Sequence, residues 1–259
     1  MTNMARQAIP KINQLLRKWP SGTPATIAWL EAEGFSRQLI DAYEKSHWVK
    51  RLSRGVVIRE EESINWVGAV YALQTFQKLP IHPGGKFALS LRGLAHFLQM
   101  STTPKIYLYG PSEIKLPAWI KGFGKQLNIN YYRSKLFKKA GQIVGFTDYK
   151  ENNLRIKVSS PERATLEVLD LVPKYQSFEE AKLIFEGLTT LRSSVVQRLL
   201  ENCESYKVKR TFLYLAEASG HAWFKKIDVR KIDLGKGKRV VAENGKFDSK
   251  YLITVPRDE

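Results

Sequence analysis

A single cysteine, Cys203, among 259 residues excludes an internal disulfide and any thiolate metal cluster, and suits a reducing cytosol. No apolar run approaches the ~20 residues a membrane span needs. The N-terminus lacks the basic and then apolar segments of a secretory signal, so the chain reads as soluble and cytoplasmic. Histidine is scarce. His47, His82, His96 and His221 show neither H-x-x-H nor Cys/His ligand spacing. There is no G-x-S-x-G elbow, and Gly235-Lys236-Gly237-Lys238 lacks the spacing of a phosphate-binding loop. The sequence therefore asks for no cofactor and no metal, and the expectation is a protein that is not an enzyme. Acids are also under-represented: 25 Asp and Glu face 42 Lys and Arg, a formal charge of +17. Such an excess calls for a polyanionic partner, of which nucleic acid is the usual one and an acidic protein or anionic membrane the alternatives.

What is present is ample apolar material, 43% of the chain, and a length that fits two domains. The break at His82-Pro83-Gly84-Gly85 places the boundary within 78–104, giving domains 1–80 and 81–259. The expected fold class is α+β: an N-terminal winged helix-turn-helix followed by a mixed α/β C-terminal domain. The charge is uneven. Residues 1–100 carry +6, residues 101–150 carry +7, and residues 151–259 carry +4.

Residues 8–19 place Ile12, Leu15, Leu16 and Trp19 at helical spacing. Thr23-Pro24 reads as the start of a second helix, ending near Gly34. Ser36 caps a third, RQLIDAYEKSHW, with Leu39, Ile40 and Tyr43 inward. VKRLSRGVVIR then reads as a hairpin turning at Ser53-Arg54-Gly55. Three helices followed by a basic hairpin is the order of a winged helix, which presents its third helix to a DNA major groove. The expected DNA contacts are Ser36 at the helix start, where free N–H groups favour phosphate, and Arg37 and Gln38, suited to guanine and adenine edges. Asp41 and Lys45 lie at i+4 steps from Arg37, with Asp41 also able to orient Arg37 by an ion pair. Lys50, Arg51, Ser53 and Arg54 belong to the wing.

Further on, helices are expected over 64–79 and roughly 87–99. Strands are expected in IYLYG, INYYRSKLF, GQIVGFT and LRIKVSS, with a short helix near Pro117–Phe123. Helices begin again at Ser160-Pro161-Glu162 and Ser177 and continue to about Ala218. Two closing strands flank a hairpin turn at Asn244-Gly245.

The run GFSRQLIDAYEKSHWVKRLSRGVVIRE resembles the N-terminal winged helix of the abortive-infection antitoxin family AbiEi, through Ser36, Leu39, Tyr43, Ser46, Trp48, Arg54 and Gly55. His47 departs from the glycine frequent there. HPGGKFALSLRGLAHFL resembles the next segment of that family, through His82, Gly84, Gly85, Ala88, Leu89 and Gly93. SPERATLEVLDLVP resembles its C-terminal signature, through Pro161, Glu162, Arg163, Ala164 and Glu167. The resemblance implies the antitoxin of a type IV toxin–antitoxin pair. Such a protein represses its operon through inverted repeats in double-stranded DNA and counters a nucleotidyltransferase-like toxin.

Two features stand beside this reading. Asp170 and Glu180-Ala181-Lys182 loosely match the acid…Glu-x-Lys site of metal-dependent restriction-type nucleases, the alternative function. Residues i and i+2 of a helix do not share a face, however, and acids at a helix start complement its dipole. In GFGKQLNINYYRSKLFKK, Lys121, Lys125, Arg133, Lys135, Lys138 and Lys139 alternate with Tyr131, Tyr132 and Phe137. The mix suits a nucleic-acid groove, an acidic partner, or a solubilising strand face over core aromatics.

Overall fold

The computed structural model describes residues 10–95 and 105–257. It forms two compact units. The first takes the described part of Met1–Pro80 with Leu116–Leu127 and Lys150–Ile156. The second takes the described parts of Ile81–Lys115, Asn128–Tyr149 and Lys157–Glu259. Among the described residues no helix is long and apolar enough to cross a membrane.

The first unit begins with α1 (Lys11–Lys18), β1 (Ala25–Thr26), α2 (Ile27–Ala32), α3 (Arg37–Lys45), β2 (Val49–Ser53) and β3 (Val56–Arg59). The three strands form one sheet in the order β1-β3-β2, which is the winged helix-turn-helix arrangement. Leu15, Trp19, Ile27, Leu30, Phe35, Ile40, Val49 and Val57 close its core. The expected stripe of α1 is confirmed at Leu15 and Trp19, both buried. The start of the second helix is corrected. Ala25 and Thr26 pair with Val57 and Val56 as a strand, and the cap is Thr26, whose hydroxyl accepts from the Trp29 N–H at 3.1 Å. Thr23 instead supplies the carbonyl that the Trp19 indole N–H binds at 2.8 Å. Glu62 accepts from Ser21 Oγ and the Gly22 N–H, each at 2.7 Å. Arg59, paired with Glu62 at 3.4 Å, donates to the Leu16 and Trp19 carbonyls. Base of wing and end of α1 are thereby tied together.

α4 (Trp66–Tyr71) follows, capped by Asn65, and continues as a π-helical turn over Ala72–Phe76 that stacks Phe76 on Trp29 at 3.9 Å. A Cβ on Gly68 would stand 1.9 Å from the Gly22 carbonyl oxygen, so only glycine allows this approach.

The second unit opens with β4 (His82–Pro83) and α5 (Gly85–Ser90). The helix expected over 87–99 starts two residues early and ends at Ser90; Phe97 and His96 lie outside the described residues. β5 (Ile106–Pro111) lies between β4, antiparallel, and β6 (Ile129–Ser134), parallel. A parallel pair requires a crossover, and this one passes through α6 (Ala118–Phe123), in residues assigned to the first unit. The hairpin β7 (Phe146–Glu151) and β8 (Leu154–Ser159) precedes α7 (Pro161–Asp170), α8 (Phe178–Glu186), α9 (Ser193–Glu201) and α10 (Tyr206–Ala218). Residues 141–144 of the expected GQIVGFT strand lie in or just after a 3-10 turn. α7 is buried from Glu162 to Leu169 and packs against α5, α8, α9 and α10.

A polar knot sits inside this apolar unit, built around the HPGG and SPERATLE segments singled out by the family resemblance. Glu167, almost fully buried, accepts from Arg163 Nε at 3.0 Å, from the Gly85 N–H at 2.9 Å and from Ser159 Oγ at 2.8 Å. It also meets His82 Nε2 at 2.9 Å. Arg163 donates in addition to the Gly141 and Val144 carbonyls, at 3.0 and 2.9 Å, and lies 4.4 Å from the Phe137 and Phe146 ring centroids. Burial holds the His82 imidazole below its ordinary pKa, so its N–H serves the Glu167 carboxylate as a neutral donor. A Cβ on Gly84 would lie 2.2 Å from Glu167 Oε2. Next to it, Gly85 has φ +53° and a Cβ position 2.4 Å from the Tyr109 hydroxyl. Gly84 is thus set by contact with the knot, and Gly85 by its left-handed φ and the approach of Tyr109.

The chain closes with β9 (Arg239–Val240), β10 (Lys246–Asp248) and β11 (Ile253–Val255) in the order β10-β11-β9. The expected hairpin at Asn244-Gly245 is corrected: the strands flanking it do not pair, because β11 lies between them. Gly245 packs so tightly on β11 that a Cβ would be 2.0 Å from the Val255 carbonyl oxygen. Arg210, buried, holds this region by donating to the carbonyls of Leu234, Gly235, Gly237 and Leu252. The Gly/Lys-rich loop is therefore a backbone cradle for an internal guanidinium.

Candidate nucleic-acid interface

The turn between α2 and α3 is built by two glycine- and serine-dependent devices in succession. Gly34, at φ +91°, ends α2: its N–H reaches the Glu31 carbonyl and the Phe35 N–H reaches the Leu30 carbonyl, both at 3.0 Å. That is a Schellman closure, and it drops Phe35 into the core. Ser36 then caps α3, its hydroxyl accepting from the Leu39 N–H at 3.3 Å. α3 buries Ile40 and leaves Arg37, Gln38, Asp41 and Lys45 exposed along its outer side.

The other end of α3 closes in the same way. The His47 N–H binds the Glu44 carbonyl at 3.2 Å and the Trp48 N–H binds the Tyr43 carbonyl at 2.9 Å. The C′ position is left-handed, φ +56° at His47, which explains physically why glycine suits this place. His47→Gly is expected to raise the stability of the first unit by about 1 kcal/mol, read as a higher urea midpoint with unchanged slope; no increase would refute the strain.

The wing does not present all its charges outward. Arg51 bends back on α3: its Nη2 lies 3.2 Å from Asp41, and its Nε lies 3.1 and 3.2 Å from the two Glu44 oxygens. The Arg51 hydrogen bond holds the Glu44 carboxyl below its ordinary pKa. Asp41 therefore pairs with Arg51, while Arg37 has Glu31 at a loose 3.7 Å. Lys50 and Arg51 are adjacent in a strand and so leave it on opposite faces. Lys50 donates to the Glu60 carbonyl and, with Leu52 and Ile58, lines a cavity of about 300 Å³ with Phe123, Gln126 and Leu127 of the same unit. The Ser53 hydroxyl is buried without a partner beside an irregularity in the β2–β3 register. Arg54 is exposed at the two-residue tip before Gly55, which has φ +77°. Sequence reasoning missed Glu44, the second acid bracing Arg51, and Trp48, which stays half exposed beside α3. Of these only Trp48 had a signal, as part of the resemblance.

Comparison with known proteins decides the family. Residues 8–100 match the family model described as "Transcriptional regulator, AbiEi antitoxin N-terminal domain", and residues 103–256 match "Transcriptional regulator, AbiEi antitoxin, Type IV TA system". The chain belongs to the AbiEi antitoxin family of type IV toxin–antitoxin transcriptional regulators. No curated protein matches it. Among solved structures, the chain is similar to the RV2827C protein from Mycobacterium tuberculosis. It is similar over 95% of this chain and 92% of that one, with a TM-score of 0.51 and 14% identity. At that identity the likeness concerns the fold alone. The residues of the nuclease alternative have other partners in this AbiEi member. Asp170 accepts from Ser134 at 2.9 Å, and Glu180 receives Lys86 at 2.8 Å and Gln176 at 2.7 Å. Among the described residues no group of three or more His, Cys, Asp or Glu is placed to hold a metal.

Proposed function

We propose that the protein represses its own operon by placing α3 in the major groove of inverted repeats in double-stranded DNA. The observation that carries this reading is the doubly closed α2–α3 turn, with an exposed Arg37-Gln38 pair in the first turn of α3. Arg37 reads guanine and Gln38 adenine. Ser36, at the helix start, and Lys45 take phosphate oxygens, and Arg54 contacts the backbone or minor groove. Arg51 acts as a positioning residue: with Asp41 and Glu44 it fixes the angle between wing and helix. Lys50 adds charge near the wing base, and Ser53 supports the wing turn. As the antitoxin of its pair, the protein counters a nucleotidyltransferase-like toxin.

The test is binding to the duplex upstream of the gene against random duplex, over a range of salt. Preference for the upstream duplex is expected. Affinity should fall steeply with salt, and Arg37→Ala should cost about 1–3 kcal/mol on the specific duplex only. Equal affinity for both duplexes would remove the repressor reading. Arg51→Ala is a useful companion, because it should weaken both duplexes through the lost brace.

A further inference from the structure

The aromatic residues of the basic segment, Tyr131, Tyr132 and Phe137, take different places in the second unit. Phe137 is buried beneath Arg163, and the Tyr131 hydroxyl donates to the Ile114 carbonyl at 2.9 Å. Tyr132 is different. Strand alternation puts it on the same sheet face as Tyr107 and Tyr109, with Tyr109 directly opposite in register. Its ring centroid lies 5.9 Å from that of Tyr107, nearly parallel at 10°, and 5.9 Å from that of Tyr175. Tyr175 is 60% exposed, and Tyr107 and Tyr132 are partly exposed.

Lysines attend both ends of this ladder. The Lys105 ammonium lies 5.7 Å from the Tyr107 centroid and the Lys174 ammonium 5.1 Å from the Tyr175 centroid. Both lysines are exposed. Asn130, opposite Tyr107 in the ladder, sets an amide on the same face. The loop bearing Lys174 and Tyr175 is fastened by the adjacent Gln176, which donates to Glu180, and Lys86 donates to the other Glu180 oxygen. The rings are thus held in place before anything binds.

From this we infer that the Tyr107–Tyr132–Tyr175 ladder of the second unit is a stacking platform for single-stranded nucleic acid, separate from the duplex surface of the winged helix. Lysines alone would suit any anion. Ordered ring faces beside them select an anion that carries flat rings of its own, and unpaired nucleotides do. A duplex hides its base faces, so a paired strand cannot use the ladder. An acidic peptide would use Lys105 and Lys174 and leave the rings idle.

The experiment is fluorescence anisotropy of the full-length protein with fluorescein-labelled oligo(dT) and oligo(U) of about 15 nucleotides, within the usual range of site sizes. Wild type should bind both. Tyr175→Ala, at an exposed position, should weaken binding roughly five- to a hundredfold, the usual effect of losing one stacked base. Tyr175→Phe should retain it, and upstream duplex should bind all three proteins alike. Three results would overturn the proposal. One is no binding by wild type. Another is equal binding by wild type and Tyr175→Ala. The third is displacement by polyglutamate of matched charge as effective as by unlabelled oligo(dT), which would mark an acidic-protein surface instead.

Discussion

Glu167→Gln is expected to destabilise the second unit by about 3–5 kcal/mol, the cost of leaving one member of a buried ion pair without its partner. The substitution keeps shape and volume, so packing changes do not explain the loss. What disappears is the negative charge facing the buried Arg163 guanidinium, along with the acceptor shared by Ser159, His82 and the Gly85 N–H. Glutamine offers one carbonyl oxygen where the carboxylate offers two, and turns an NH2 toward groups that are themselves donors. Domains of this size have only about 5–15 kcal/mol in hand, so a large part of the unfolding free energy goes. A urea titration followed by tryptophan fluorescence reads the effect through Trp223, buried in the core of this unit. A midpoint shift worth less than about 1 kcal/mol would show that the knot is not what holds α7 against α5.

The same knot shows which parts of the molecule are legible in the sequence. α3 is: its cap, the glycine before it and its inward stripe lie within about a dozen residues, and each acts on its neighbours. The start of α2 is not, because Ala25 becomes a strand only by pairing with Val57, far along the chain. The closing hairpin misleads for the same reason. Asn244-Gly245 is a sound local turn signal, but β11 arrives later and takes the central place. Resemblance marks His82, Gly84, Gly85, Arg163 and Glu167 without relating them; the fold joins them around one carboxylate. In the wing, alternation separates Lys50 from Arg51, yet only the position of α3 tells which of them meets Asp41 and Glu44. The basic run over 121–139, continuous in sequence, is divided in space. Lys121 and Lys125 belong to the first unit, and Arg133, Lys135, Lys138 and Lys139 to the second.

Acid should unfold the protein in a way that a second glutamate controls. Glu162, at the start of α7, is buried. Its carboxylate accepts from the Arg192 N–H, Nε and Nη2, all at 2.9 Å. Burial opposes its ionisation, but these hydrogen bonds outweigh burial and hold the pKa down at about 2. An unfolded glutamate titrates near 4.3. Below that value the unfolded chain takes up a proton that the folded chain refuses, so stability falls as pH drops from about 4.5 through 2. The full difference is about 3 kcal/mol. Glu167, also held below its ordinary value, adds to the fall in the same direction. His82, depressed by burial, starts it earlier, because the unfolded imidazole protonates below about 6.5. Glu162→Gln should therefore lower stability at neutral pH and flatten the profile between about pH 4.5 and 2. The His82 decline, which begins below about pH 6.5, should stay in place. Urea midpoints at half-unit pH steps, for wild type and Glu162→Gln, separate the two limbs. Parallel profiles across the acid range would show that Arg192 does not hold Glu162 ionised.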